Sequence, residues 1–292
     1  AMQNTAKQIY EDKNLLNIED NVATVSEIFR LQGAKELENS ETKYLPQTSN
    51  LTTAIILAAS RGEELGDLTE DKPKAMIETF GRPILGRIID GYNSSGVKSI
   101  SVVTGYKSEK FNLPNVSYFE NKDFKITGEV NSLNQALKNT DENQDIIISY
   151  GDVLFKKYVP LMLLESEKDF TIVSDTNWEE NYKSNRDSDF ILCNLEHSRK
   201  SLGKEIELKK VDSQMKKEEI SAEWMGLIKI SKNKRKDLEK VVRELEGSNK
   251  KANIPDLMNK LIEKGLKINV IYTSGHWLDI DSLDDLIKAS YF

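Results

Sequence analysis

From Thr52 onward the sequence predicts an α/β fold with a mixed, mostly parallel, twisted sheet flanked by helices. Two observations carry this expectation. Short β-rich apolar runs alternate with helical patterns through the first half of the chain, the arrangement that makes βαβ units. The run from Ala54 to Ala59 is apolar throughout and breaks into a loop carrying Arg61 and Gly62, as a buried strand does where it leaves a sheet. Strands are predicted at 53–59, 99–104, 116–120, 145–149, 170–174, 190–194, 206–211, 224–230 and 268–272. Helices are predicted at 84–94, 132–139, 156–167, 233–246, 255–264 and 283–290. Gly81-Arg82-Pro83 turns the chain into the first helix, with proline near the first turn, where its missing N–H is not needed. In the second half, β runs separated by charged loops predict an antiparallel, lid-like portion.

Residues 1–48 read differently. They are polar, lack β-rich runs, and carry a helical apolar stripe at Val25, Ile28, Phe29 and Leu31. The segment from Tyr44 to Asn50 has the composition of a linker. The expected organisation is a helical extension over 1–48 and a main domain over 49–292, with a homo-oligomer formed through the extension as a further expectation.

Composition narrows the function. The chain has 292 residues, 38% hydrophobic and 30% charged, as expected of a globular protein. Its net charge of −7 argues against a nucleic-acid partner, which calls for a basic face. No apolar stretch approaches the ~18 residues of a membrane span, and no signal-peptide pattern stands at the N-terminus. With Cys193 as its single cysteine, the chain has no intrachain disulfide. These features make the cytoplasm the expected compartment. Cys193 reads as an ordinary strand residue and His197 as a surface one. His276, beside Trp277, is a weaker pocket candidate.

Five segments carry candidate chemistry, three of them legible from residue types alone. After the first strand, Arg61 and Gly62 are followed by Lys72-Pro73-Lys74. A glycine lets backbone approach phosphates, backbone N–H groups and Arg61 donate hydrogen bonds, and lysines neutralise charge, so this loop suits a polyphosphate. Glu63 and Glu64 lie in the same loop and are expected to face solvent, away from such a ligand. In the second segment, the strand ending at Ser149-Tyr150-Gly151 delivers Asp152; a carboxylate there suits a hard cation, or else caps a following helix. In the third, Asp279 and Asp281 stand two apart on an extended stretch and so face the same way, while Ser282 is placed to cap the last helix.

The segment AIILAASRGEELGDLTEDKPKAM resembles the signature of the nucleotidyltransferases that activate a phosphate or phosphonate with an NTP. Leu57-Ala58-Ala59 and Pro73-Lys74 match it. Ser60 stands where most members have glycine, and Arg61-Gly62 reverses the usual order. The variant looks most like the cytidylyltransferases that act on phosphonates, such as 2-aminoethylphosphonate. The resemblance implies a Rossmann-like fold of the nucleotide-diphospho-sugar transferase type. It implies nucleotide contacts at Leu57, Ala58, Ala59, Ser60 and Gly62, with Lys74, Arg61 and Lys72 acting on the phosphates. It also implies Mg²⁺ on Asp152 and Asp281, with Asp279 an accessory group. Where most members carry an aspartate before Gly151, this chain has Tyr150.

The same resemblance brings in the last two segments. The fourth, Asn121 to Leu133, would line the nucleobase pocket through Thr127, Gly128 and Ser132, unless it is an ordinary loop capped by Asn131 or Ser132. The fifth, Ala222-Glu223-Trp224-Met225-Gly226-Leu227, would line the acceptor pocket. Acceptor contacts are expected at Glu129, Glu223, Trp224 and Trp277, with core packing the plainer alternative for Trp224. Separately, the stretch from Thr5 to Pro46 resembles the C-terminal end of phosphoenolpyruvate mutase, without the barrel that carries mutase chemistry. The expectation is therefore a CTP- and Mg²⁺-dependent cytidylyltransferase acting on a small phosphonate or phosphate. A phosphocholine cytidylyltransferase, a sugar-1-phosphate nucleotidyltransferase and a non-catalytic nucleotide-binding module are the alternatives.

Overall fold

The computed structural model describes residues 49, 51–182 and 188–292. The chain divides into two units, Ala1–Leu45 and Pro46–Phe292. The extension read over 1–48, with its mutase-like stretch and its expected role in assembly, lies outside the described residues.

The strands are β1 (Thr52–Ala58), β2 (Glu78–Thr79), β3 (Arg82–Pro83), β4 (Ser99–Thr104), β5 (Ser117–Glu120), β6 (Asp145–Tyr150), β7 (Val153–Phe155), β8 (Phe170–Asp175), β9 (Phe190–Cys193), β10 (Leu208–Val211), β11 (Ala222–Ile230), β12 (Asn269–Thr273) and β13 (Trp277–Asp279). The helices are α1 (Ile84–Ser94), α2 (Glu129–Leu137), α3 (Tyr158–Glu165), α4 (Trp178–Tyr182), α5 (Arg235–Ser248), α6 (Ile254–Glu263) and α7 (Leu283–Ala289). A nine-stranded sheet runs in the order β10-β9-β11-β6-β1-β4-β5, and β8 joins β11 to β12. Its β6-β1-β4-β5 half is parallel, while β11 pairs antiparallel with β6, β8 and β9. This is the predicted mixed, mostly parallel sheet with flanking helices. The antiparallel portion also lies in the predicted half, although β12 returns parallel to β8.

Local sequence explains these elements. Every residue of β1 is buried, as expected of a central strand covered on both faces. In α1, Ile84, Leu85, Ile88, Ile89 and Tyr92 fall at helical spacing and form its buried face. Asn253 opens α6 with a capping box to Asp256, which satisfies the first free N–H groups of the helix. The core joins Ile55 of β1, Ile148 of β6, Ile228 of β11, Leu133 of α2 and Met258 of α6. Among the described residues, no helix is long and apolar enough to cross a membrane. Cys193 is buried at the end of β9, and His197 is exposed.

One feature carries no strong local signal. β7 and β13 form a separate two-stranded antiparallel sheet in which Asp279 lies opposite Val153. Three residues are too few to show a period, so neither strand is legible in the sequence. The pairing brings the end of β6 to the start of α7.

Candidate active site

β1 and β6 run parallel and side by side, so Ala59 and Gly151 leave the sheet on the same edge. Ligands of open α/β sheets bind outside the carboxyl ends of their strands. A cleft of about 1240 Å³ opens there, lined by Leu57, Ala59 and Ser60 after β1 and by Tyr150 and Asp152 after β6. Thr127, Gly128, Glu129 and Ser132 line it from the start of α2, and Asp279 and Asp281 from β13 and the turn after it. Asn121 fastens the α2 side: its side-chain amide donates to Thr127 Oγ1 at 3.0 Å and to Ser132 Oγ at 2.9 Å. Neither Asn131 nor Ser132 caps α2; its N-cap is Gly128.

Asp152 is followed by a strand, not a helix, so it is not a helix cap. Its backbone carbonyl accepts from Ile280 N at 3.2 Å, which extends the β7–β13 pairing towards the acidic group. Asp152, Asp279 and Asp281 each offer a carboxylate oxygen within 4.8 Å of the others. An all-oxygen, anionic donor set of this kind fits a hard divalent cation. Ser282, next along, accepts from Asp285 N at 3.2 Å and caps α7.

Lys74 reaches this group from the loop after β1. The lysine is 4% exposed, and Nζ lies 2.9 Å from Asp152 Oδ2, 3.0 Å from Asp281 Oδ1 and 2.5 Å from Glu64 Oε1. Burial alone would lower its pKa, but Asp152, Asp281 and the Glu64 hydrogen bond outweigh it and hold the ammonium above the ordinary lysine range. Gly62 makes this possible. It has φ +79°, and a Cβ there would meet Lys74 Cβ at 2.5 Å. The glycine therefore clears a path for the lysine stem, where the sequence alone suggests close approach to a phosphate.

The structure corrects several expectations. Glu64 lines the cleft and pairs with Lys74 while its side chain stays 41% exposed; Glu63 is exposed and outside the lining. Lys72 is exposed and outside the cleft lining, since Pro73 and the Lys74–Met76 turn direct one lysine inward and leave the other in solvent. Arg61 is not in the lining either: it donates to Gly66 O at 3.4 Å and lies 5.8 Å over the Tyr106 ring. Ala58 is buried in β1, where its Cβ faces Gly151.

The expected acceptor strand supplies core instead. Trp224 is 2% exposed, and its indole N–H donates to Leu227 O at 2.8 Å. Glu223 is buried on β11 at the junction with β8 and β9. Trp277 donates from its indole to Asp175 Oδ2 at 2.8 Å and is outside the cleft lining. His276 is likewise outside it, with its ring edge-on to Tyr158.

Sequence reasoning missed Phe124, Glu180, Asp189, Asp285 and Lys288 in the lining. Asp189 and Glu180 have no local signal, because only the fold carries them to the cleft. Glu129, which the resemblance singles out, accepts from Ile254 N at 2.9 Å and from the Tyr150 hydroxyl at 3.3 Å. Burial, with Asp189 and Asp152 adding to it, pushes its carboxyl from the usual 4.5 up to about 7.

The sign of the linked effect follows from that shift. Between about 4.5 and about 7 the folded state holds a proton on Glu129 that the unfolded state has lost, so this contribution to stability is present at low pH and disappears as pH rises through 7. Glu129→Gln keeps a neutral group at every pH. Its Tm relative to the parent is expected to be more favourable at pH 8 than at pH 5, read by thermal unfolding; a pH-independent difference would mean the carboxyl is not held protonated.

Residues 54–181 match the family model described as a MobA-like NTP transferase domain. Fold, cleft and family match together define an enzyme of the nucleotidyltransferase class. Among particular relatives, the chain is 29% identical over 251 residues to the CTP:phosphoglutamine cytidylyltransferase of Campylobacter jejuni subsp. jejuni, covering 80% of this chain and 97% of that protein. It is 56% identical over 45 residues to the phosphoenolpyruvate phosphomutase of Tetrahymena pyriformis, which is 15% of each chain. Among solved structures, the inositol-1-phosphate CTP transferase from T. maritima superposes with a TM-score of 0.64 at 18% identity, over 82% of this chain and 92% of that one. That likeness bears on the fold.

Proposed function

We propose that this chain is a cytidylyltransferase that condenses CTP with a small phosphonate, 2-aminoethylphosphonate being the expected acceptor, to give the CMP-phosphonate and pyrophosphate. The observation that carries the reaction class is the meeting of Lys74, Asp152 and Asp281 at the strand ends, one buried cation among carboxylates suited to a second. A phosphonate oxygen attacks the α-phosphorus of CTP, the bond to the β-phosphate oxygen breaks, and pyrophosphate leaves with that electron pair. The acceptor anion is already nucleophilic near neutral pH, so the protein's part is to position and neutralise charge.

Ser60 and its neighbours after β1 would carry the phosphates, and Thr127, Gly128 and Ser132 the base. Lys74 would leave its carboxylate partners for charge growing at the α-phosphoryl group. Asp152, Asp281 and Asp279 would hold Mg²⁺, which when bound supplies charge neutralisation on the phosphates. CTP is supported by the Campylobacter relative, whose name specifies it. A phosphonate acceptor is supported by the mutase-like stretch and the 45-residue match to a phosphomutase.

The test is a panel of four NTPs against 2-aminoethylphosphonate, phosphocholine and glucose-1-phosphate, followed by pyrophosphate release. CTP with the aminophosphonate is expected to exceed the other acceptors by at least roughly tenfold in kcat/KM, about 1.4 kcal/mol of transition-state binding. A quaternary ammonium favours an aromatic cage, and the aromatic residues in the described lining are Phe124 and Tyr150. Equal or better turnover of phosphocholine would overturn the acceptor while leaving nucleotidyl transfer intact.

A further inference from the structure

Asp175 ends β8, which runs in the same direction as β6 because both pair antiparallel with β11. It therefore lies on the sheet edge that carries the cleft, yet it is outside the cleft lining and 4% exposed. A carboxylate buried to this depth calls for hydrogen-bond partners, and three N–H groups donate to it. Oδ1 accepts from Asn177 N at 2.9 Å and from Gly275 N at 3.0 Å, while Oδ2 accepts from the Trp277 indole at 2.8 Å. Two of these donors belong to the turn between β12 and β13.

That turn has an unfavourable backbone. Gly275 has φ +63°, and His276 follows with φ +66°, a left-handed conformation that costs an L residue free energy. Such a conformation persists where its surroundings over-determine it. Asp175 takes one donor on each side of His276, and the His276 carbonyl accepts from Lys156 N at 3.1 Å. Thr176, next to Asp175, donates from its backbone N and from Oγ1 to Thr273 O, each at 2.9 Å.

The turn leads directly to the cation site. From Trp277 the chain enters β13, where Trp277 lies opposite Phe155 and Asp279 opposite Val153. Asp279 and Asp281 follow the anchored indole along one short extended stretch, and with Asp152 they form the three-carboxylate group. The stretch is thus tied at its start to Asp175 and near its end to Asp152, through Ile280 N.

We propose that Asp175 is a positioning residue for the divalent-cation site: through the Gly275 amide and the Trp277 indole it fixes the turn that sets Asp279 and Asp281 against Asp152. This deepens the reading above and rests on it for the cation. It also gives Trp277, which the resemblance places against the acceptor, a part in the site that needs no contact with substrate. An asparagine at 175 would have the same shape, but it offers one acceptor oxygen, and its amide N–H groups would face another donor.

Calorimetric Mg²⁺ binding to the full chain tests this apart from turnover. Asp175→Asn is expected to weaken Mg²⁺ by roughly tenfold or more, the usual result of losing a group that orients metal ligands. Trp277→Phe changes no charge, so a weakening there, expected at roughly threefold, is not a long-range loss of negative potential. The two changes together should bind Mg²⁺ no more weakly than Asp175→Asn alone, because the amide then faces a ring without an N–H. The indole N–H resonance of Trp277, assigned by its loss in Trp277→Phe, should move in Asp175→Asn. Ser231→Ala, which breaks a 2.7 Å bond to Asp169 just before the other end of β8, is the stability control. It should lower Tm with Mg²⁺ affinity unchanged.

Parental Mg²⁺ affinity in folded Asp175→Asn, losses that simply add in the double variant, an equal weakening in Ser231→Ala, or no Mg²⁺ binding by the parent would overturn the proposal. Should Asp175→Asn fail to fold, Trp277→Phe decides, and parental affinity there overturns it. If Mg²⁺ affinity responds as expected but no NTP yields pyrophosphate with any acceptor, the positioning role stands and the cytidylyltransferase reading falls. If pyrophosphate is released with CTP and every variant holds Mg²⁺ as the parent does, the reverse is true.

Discussion

Lys74→Ala is expected to lose roughly 10²–10³-fold in kcat, comparable to deleting a preorganised donor to an oxyanion. The lysine is buried, its stem is threaded past Gly62, and its ammonium stays charged among Glu64, Asp152 and Asp281. An interaction made mainly in the transition state lowers kcat when removed, whereas one made equally in the ground state raises KM. The same substitution leaves those three carboxylates without their shared cation. The variant should therefore unfold at lower temperature than the parent without divalent ions, and Mg²⁺ should recover more of the Tm in the variant than in the parent. Steady-state kinetics at saturating Mg²⁺ and thermal unfolding with and without Mg²⁺ read the two effects. Lys72→Ala, exposed and outside the cleft, is the matched control, with changes expected to stay under about threefold. Control of kcat by Lys72 and not by Lys74 would mean that the wrong lysine has been assigned to the reaction.

Asp152→Asn and Asp281→Asn are each expected to lower Mg²⁺-dependent turnover by more than about 10²-fold while the protein remains folded. Each change removes a ligand and a unit of charge from a hard-cation site, and the lost charge stabilisation amounts to several kcal/mol at about 1.4 kcal/mol per tenfold. Each also takes one partner from Lys74. Calorimetric Mg²⁺ binding should weaken in both variants, which separates a ligand from a residue that only shapes the loop. Near-parental activity with unchanged Mg²⁺ dependence in either variant would remove that residue from the cation site.

Much of the path to these residues is legible in the amino-acid sequence. The apolar run of β1 and the loop after it point to Lys74, because a buried strand must end where the sheet presents its edge. The strand ending at Tyr150 points to Asp152 for the same reason. Ser282 is readable as a cap, since a serine before a helical segment has one simple use. The expectations that fail share a cause. Charge alone places Glu64 in solvent, yet it meets Lys74, and that meeting depends on how two short turns pack around Gly62. The strand that carries Trp224 leaves pocket and core open, and the indole lies in the core, with Tyr150 edge-on to it in the cleft lining.

The alternation of strands and helices, the strand ends that lead to Lys74 and Asp152, and the acidic pair Asp279 and Asp281 are readable from the chain alone. Each of these is a local pattern of burial, turn chemistry or spacing. Folding adds the rest: β13 pairs with β7 to bring Asp281 to Asp152, Glu64 meets Lys74, and Glu129 and Asp189 come together at one phenol. Those contacts join residues far apart along the chain, and their geometry is set by sheet register and side-chain packing, which leave no periodic signature in the segments they connect.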